Sequence, residues 1–244
     1  MIKPNFREIF MGKISQNTLY RSEHPIQNIG QKNDIISHLQ NANIKTIINL
    51  SDNAQSLKSK LICYDAPWYQ KIFDENNVIA VQMNMKYNLS DPGFMNKIKS
   101  ALDFMSKRDP PYLIHCEMGV DRTGILALLL EAFMSSSLED MAKDYMLSFV
   151  DEEEYHENDF KNGSHFISNV FSDIKGYPIT PKDDFQNLSE EFLYKNIGID
   201  IDTLATVKKK LTKNSWGGGG NKTNEHIIDM HKNLFQRIFK KQSM

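Results

Sequence analysis

Ten consecutive residues, 115–124, read HCEMGVDRTG and bring a thiol (Cys116), a guanidinium (Arg122) and a hydroxyl (Thr123) into one short segment. A cysteine and an arginine at that spacing suit phosphate chemistry. If the residues between them curl, as Gly119 permits, their N–H groups and the start of a following helix make a cradle for an anion. Glu117, Met118, Gly119, Val120 and Asp121 would then bind phosphate oxygens through the main chain, and Arg122 would add a planar fork for two oxygens. The cradle also acts on the cysteine. A free thiol titrates near about 8.5, and helix N-termini and nearby cations lower that to roughly 3.5–7.5, so Cys116 is expected as a thiolate at neutral pH. Beside a bound phosphoryl group it is a nucleophile: attack on phosphorus, a cysteinyl-phosphate, then hydrolysis. Thr123 is placed to donate a hydrogen bond to the sulfur and help it leave. His115 is expected to orient the loop rather than act as a base, because an ionised thiol needs none. Asp121 is the odd member. A carboxylate in a loop built for anions serves only as an acid or as a brace.

A lone cysteine at a strand end is commonly inert core. The surrounding elements argue otherwise here. Residues 112–115, YLIH, read as a short strand that delivers Cys116 at its carboxyl end, where ligands bind in parallel sheets. Residues 122–134, RTGILALLLEAFM, read as an almost wholly apolar helix buried centrally. Upstream, 44–50 (IKTIINL) and 78–83 (VIAVQM) read as buried strands. The turn Ser90-Asp91-Pro92-Gly93 precedes a helix at 94–107, with Phe94, Ile98, Ala101, Leu102 and Met105 at helical spacing. Strand, helix, strand, loop, helix implies an α/β fold with a central, largely parallel sheet flanked by helices. The second half reads as helical. Residues 138–149 place Met141, Ala142, Tyr145 and Phe149 on one face, and 189–212 form two short helices joined at Gly198. The acidic run 151–159, DEEEYHEND, is a solvated loop or helix end in preference to a lid.

The expected organisation is a catalytic domain over 1–213, a flexible Gly-rich linker at 214–224 and an amphipathic C-terminal helix within 225–244. That helix, with a basic end, is expected to pack back on the domain, with docking on a partner or a membrane surface as the alternative. The chain has 244 residues and a net charge of −2, which argues against nucleic acid as a partner. No apolar run approaches the roughly 20 residues that span a bilayer, and the start has no apolar signal region, so a cytoplasmic location is expected, with export by a specialised route left open. No cofactor or metal is expected. The glycines at 217–220 lack a nucleotide-loop context, and the two cysteines lie too far apart for a zinc pattern. Cys63 is expected to be a buried structural cysteine.

H-C-x5-R-T-G resembles the signature of the cysteine-dependent tyrosine phosphatase superfamily. More closely, the chain resembles the bacterial protein tyrosine/serine phosphatase family, whose loop reads H-C-x-x-G-K-D-R-T-G. Residues 5–8 (NFRE), 19–22 (LYRS), 144–148 (DYMLS) and 191–211 resemble further segments of that family in its order. Three of the five arginines, Arg7, Arg21 and Arg122, lie in these motifs. The resemblance implies a tyrosine phosphatase fold, Cys116 as nucleophile, Arg122 on phosphate, Arg21 as loop support and Asp121 as general acid. In most of the superfamily the acid comes from an upstream loop, which here falls near Asn84 and Met85, neither able to donate. Asp91 is the nearest carboxylate, ranked below Asp121 because S-D-P-G is a natural helix cap. Some relatives form a disulfide to the nucleophile, which would involve Cys63. Two positions depart from the family's loop. Val120 replaces its lysine, and Glu117 is acidic. Fewer positive charges should favour singly phosphorylated groups, phosphotyrosine above all and then phosphoserine or phosphothreonine, over polyphosphorylated inositols. The alternatives are a phosphoinositide phosphatase, a phosphate-binding module without turnover, and a sulfur-transfer enzyme.

Overall fold

The computed structural model describes residues 5–27, 32–84, 86, 88–180 and 182–212. The expected linker at 214–224 and the C-terminal helix lie outside the described residues.

Among the described residues five strands form one sheet: β1 (Arg7–Ile9), β2 (Leu19–Ser22), β3 (Thr46–Asn49), β4 (Val78–Ala80) and β5 (Tyr112–His115). Their order is β1-β2-β5-β3-β4. β5 pairs in parallel with β2 and β3, and β3 pairs in parallel with β4; only β1 runs antiparallel, along β2. The largely parallel α/β sheet expected from the pattern is present. β1 and β2 were not legible as strands, because three or four residues containing arginine and serine carry no apolar run.

Side chains alternate across a pleated strand, and the strands divide two cores accordingly. Leu19, Ile48, Tyr112 and Ile114 face one, and Tyr20, Ile47 and Leu113 face the other. The smaller core is covered by α1 (Lys32–Asn41), α2 (Ala54–Cys63) and α3 (Pro67–Asp74). The larger is covered by α4 (Pro92–Lys107), α5 (Asp121–Phe133), α6 (Leu138–Met146), α7 (Glu157–Lys175), α8 (Phe185–Glu191) and α9 (Ile201–Leu211). α4 buries Phe94, Ile98, Ala101, Leu102 and Met105, the stripe its spacing predicted. In α5 every residue from Arg122 to Phe133 is buried, which matches its lack of a polar face.

Two details of the helical half differ from expectation. α6 stops at Met146, so Phe149 lies past its end and is 57% exposed. The buried stripe is instead Met141, Ala142, Asp144 and Met146, with a carboxylate in it. The acidic run forms a solvent-facing turn at 152–154 and then the first turn of α7.

Candidate active site

β5 is the middle strand, and its last residue pairs on both sides: His115 is opposite Ser22 of β2 and Asn49 of β3. Cys116 therefore leaves the sheet at its best-held point and is only 2% exposed. The segment 116–120 curls before α5 begins. Gly119 makes the curl, with φ of +71°, and a Cβ there would sit 2.5 Å from the Ser22 carbonyl oxygen. Only glycine meets both demands.

Each carbonyl of the curl has a partner outside it. His115 Nδ1 lies 3.5 Å from the Cys116 oxygen, and the His24 N–H donates to Glu117 at 3.1 Å. The Asn5 amide donates to Met118 at 3.1 Å. Arg21 Nη2 donates to Gly119 at 2.8 Å and to Val120 at 3.4 Å, and the Gly124 N–H donates to Val120 at 2.7 Å. By contrast, the N–H groups of 117–121 donate to no group among the described residues. Carbonyls turned out and amides left over is the polarity of an anion cradle. Arg122 completes it. The side chain is buried, Nη1 lies 3.4 Å from the Met83 oxygen, and Nε has no hydrogen-bond partner among the described residues.

Behind the curl lies a buried charge cluster. Asp144 of α6 receives Arg21 Nη1 on one carboxylate oxygen and Arg7 Nε on the other at 2.8 Å. Arg7 also reaches the Asp144 carbonyl, the Asn5 amide oxygen and Ser148 Oγ, the last at 2.9 Å. Burial opposes ionisation of Asp144, but Arg21 and Arg7 outweigh it and hold this carboxyl below its usual range. Glu131 of α5 touches the same carboxyl. Burial, then the charge of Asp144, push Glu131 well above the carboxylate range, which favours its protonated form beside Asp144. Sequence reasoning missed both acids. Each had a signal: Asp144 lies in the DYMLS motif, and Glu131 is the one charge inside LALLLEAFM.

A second network holds the other flank. Tyr69 OH lies 2.9 Å from His115 Nε2 and accepts from the Asn49 amide at 3.3 Å. The Asn49 amide also donates to Asp52 at 2.9 Å, and Asp52 faces His24 Nε2 at 2.7 Å and Lys60 Nζ at 2.9 Å. Lys60 donates to Gln27, whose amide donates to the Glu117 carboxylate. The acid in the loop is thereby tied through Gln27 to a lysine. Burial opposes ionisation of Asp52, but hydrogen bonds from His24, Lys60 and Asn49 hold its carboxyl far below the ordinary range. Burial, then His24, lower the proton affinity of His115 well below that of free imidazole. His115 is thus neutral: Nδ1–H faces a carbonyl and Nε2 accepts from Tyr69, whose hydroxyl burial keeps protonated.

Of the remaining residues expected at the site, Asp121 opens α5 and is exposed, and Met118 is 59% exposed. Thr123 is fully buried, but its hydroxyl makes no hydrogen bond among the described residues, so the expected donation to Sγ is not made in this arrangement. Asp91 caps α4, accepting from the Phe94 N–H at 2.7 Å. Cys63 corrects an expectation: it is exposed, not buried. α2 buries Leu57 and Leu61, and at 100° per residue position 63 falls on the opposite face. Both cysteines are free.

Among the described residues no helix is long and apolar enough to cross a membrane. A comparison with curated proteins finds no significant match. The model of the tyrosine phosphatase family matches residues 4–213, a stretch that holds the loop and both of its flanking networks. With that much of its length matched, the chain belongs to the tyrosine phosphatase family.

Proposed function

We propose that the chain hydrolyses phosphomonoesters of protein tyrosine, and secondarily of serine or threonine, through a cysteinyl-phosphate on Cys116. The observation that carries this reading is the polarity of the curl 116–120, whose carbonyls are bound from outside while its amides and Arg122 Nε are left over. A phosphate dianion supplies the acceptors those donors lack.

In the first step the sulfur of Cys116 forms a bond to phosphorus as the ester oxygen departs. The leaving oxygen takes a proton from Asp121. In the second step water attacks the same phosphorus, Asp121 takes back a proton, and the sulfur leaves with its electron pair, releasing inorganic phosphate. Asp121 is favoured as the acid because it is exposed at the mouth of α5, whereas the Asp91 carboxylate is engaged in capping α4. His115 acts as a neutral strut with both ring nitrogens occupied. Arg122 holds the equatorial oxygens as charge shifts from leaving group to sulfur.

The test is hydrolysis of an aryl phosphate, phosphotyrosine, phosphoserine and phosphothreonine peptides, and short-chain phosphoinositides by the intact chain and by Cys116→Ser. The expected result is turnover fastest on phosphotyrosine peptides and abolished by the substitution. Turnover that survives Cys116→Ser rules out the covalent route, and faster turnover of phosphoinositides overturns the substrate class.

A further inference from the structure

We infer that Asp144 is the positioning residue of the phosphate loop, acting through the fork of Arg21. This rests on the reading of the curl as a phosphate site.

The geometry runs in one direction. Arg21 has no exposed surface, and its two terminal nitrogens do different work: Nη1 takes Asp144, and Nη2 takes the carbonyls of Gly119 and Val120. A planar fork fixed at one prong is fixed at the other. The oxygens it holds belong to the two peptide units that turn the curl into α5, so their orientation sets where the N–H groups of Val120 and Asp121 aim. Arg7 does not reach the loop. It takes the opposite oxygen and the carbonyl of Asp144 and so keeps that carboxylate from rotating.

Charge explains why the second acid is there. Two guanidiniums and one carboxylate leave the cluster one positive charge in excess, provided Glu131 stays neutral. That excess sits largely buried directly behind the loop, where it favours an anion in front. A lysine could not replace Arg21, because an ammonium has no fork to span Asp144 and two carbonyls.

The test measures binding of inorganic phosphate by titration calorimetry, together with kcat and KM on an aryl phosphate, and thermal melting as a control for folding. Asp144→Asn should weaken phosphate binding and kcat/KM together by about tenfold or more, the scale of one charge-assisted hydrogen bond. Arg21→Lys should lose as much, and the double variant no more than either alone, since both break one linkage. Glu131→Gln keeps a neutral donor to Asp144 and should restore most of what Glu131→Leu loses. A folded Asp144→Asn that binds phosphate as tightly as wild type overturns the inference, and so do additive losses in the double variant. If Asp144→Asn does not fold, Arg21→Lys decides: unchanged phosphate affinity in that folded variant overturns the linkage. Failure of the wild-type chain to bind phosphate would instead strike at the reading of the site itself.

Discussion

The carboxylate of Asp121 stands at the first turn of α5, exposed, beside a curl whose free N–H groups suit an anion. A proton donor matters most when the leaving oxygen is a poor leaving group. Asp121→Ala should therefore slow phenyl phosphate by about 100-fold or more, the scale of general acid catalysis, and a nitrophenyl ester by much less. Steady-state rates on the two esters separate the roles, and equal losses would make Asp121 a brace. Gly119 answers to sterics alone. Gly119→Ala puts a Cβ 2.5 Å from the Ser22 oxygen at a φ of +71°. Strain and overlap together should cost about 2–5 kcal/mol, read by chemical denaturation. Near wild-type stability in that variant would mean that the curl can relax, contrary to the tight packing between β2 and the loop.

At the scale of elements, Asp91 belongs to α4 more than to the chemistry. Its carboxylate accepts from the Phe94 N–H, and Pro92 follows at the first helical position. Asp91→Ala should cost about 1 kcal/mol of stability, as loss of a helix cap does, and leave kcat on phenyl phosphate near wild type. A collapse of that kcat with the fold intact would move the proton donor from Asp121 to Asp91. The same element was legible from sequence, because its cap, its proline and its apolar stripe are all local signals. So were β5, α5 and the curl between them, where residue types and spacing are the chemistry. Legibility ended where a short sequence works through distant partners. LYRS does not look like a strand, yet β2 carries the arginine that holds the loop. Nothing around Gln27 or Lys60 says that they join Glu117 to Asp52, since those partners meet only after β5 and β3 pair. Cys63 was misplaced for the opposite reason. Its residue type suggested burial, and the phase of α2 put it outside.

The whole molecule carries two buried groups whose protons pull in opposite directions as pH changes. Burial, then His24, depress the proton affinity of His115, so its contribution is full above the unfolded value of about 6.5 and is lost as pH falls. Burial, then Asp144, raise that of Glu131, so its contribution is full below the unfolded value of about 4.3 and is lost as pH rises towards its folded value. Each proton is worth about 1.4 kcal/mol per pH unit. Between about pH 4.3 and 6.5 the two slopes have opposite signs, so each offsets part of the other. Asp144 and Asp52, both depressed, add their losses only below about pH 4. Glu131→Gln removes one side of this balance while keeping a donor to Asp144. The variant should gain stability over wild type at neutral pH. Its stability should rise more steeply with pH than that of wild type through this window, by at most about 1.4 kcal/mol per unit, because His115 is then unopposed. Denaturant unfolding at half-unit steps from pH 4.5 to 8 checks both parts. Parallel curves for the two proteins would mean that Glu131 is ionised in the fold, and that the cluster behind the loop holds no excess positive charge.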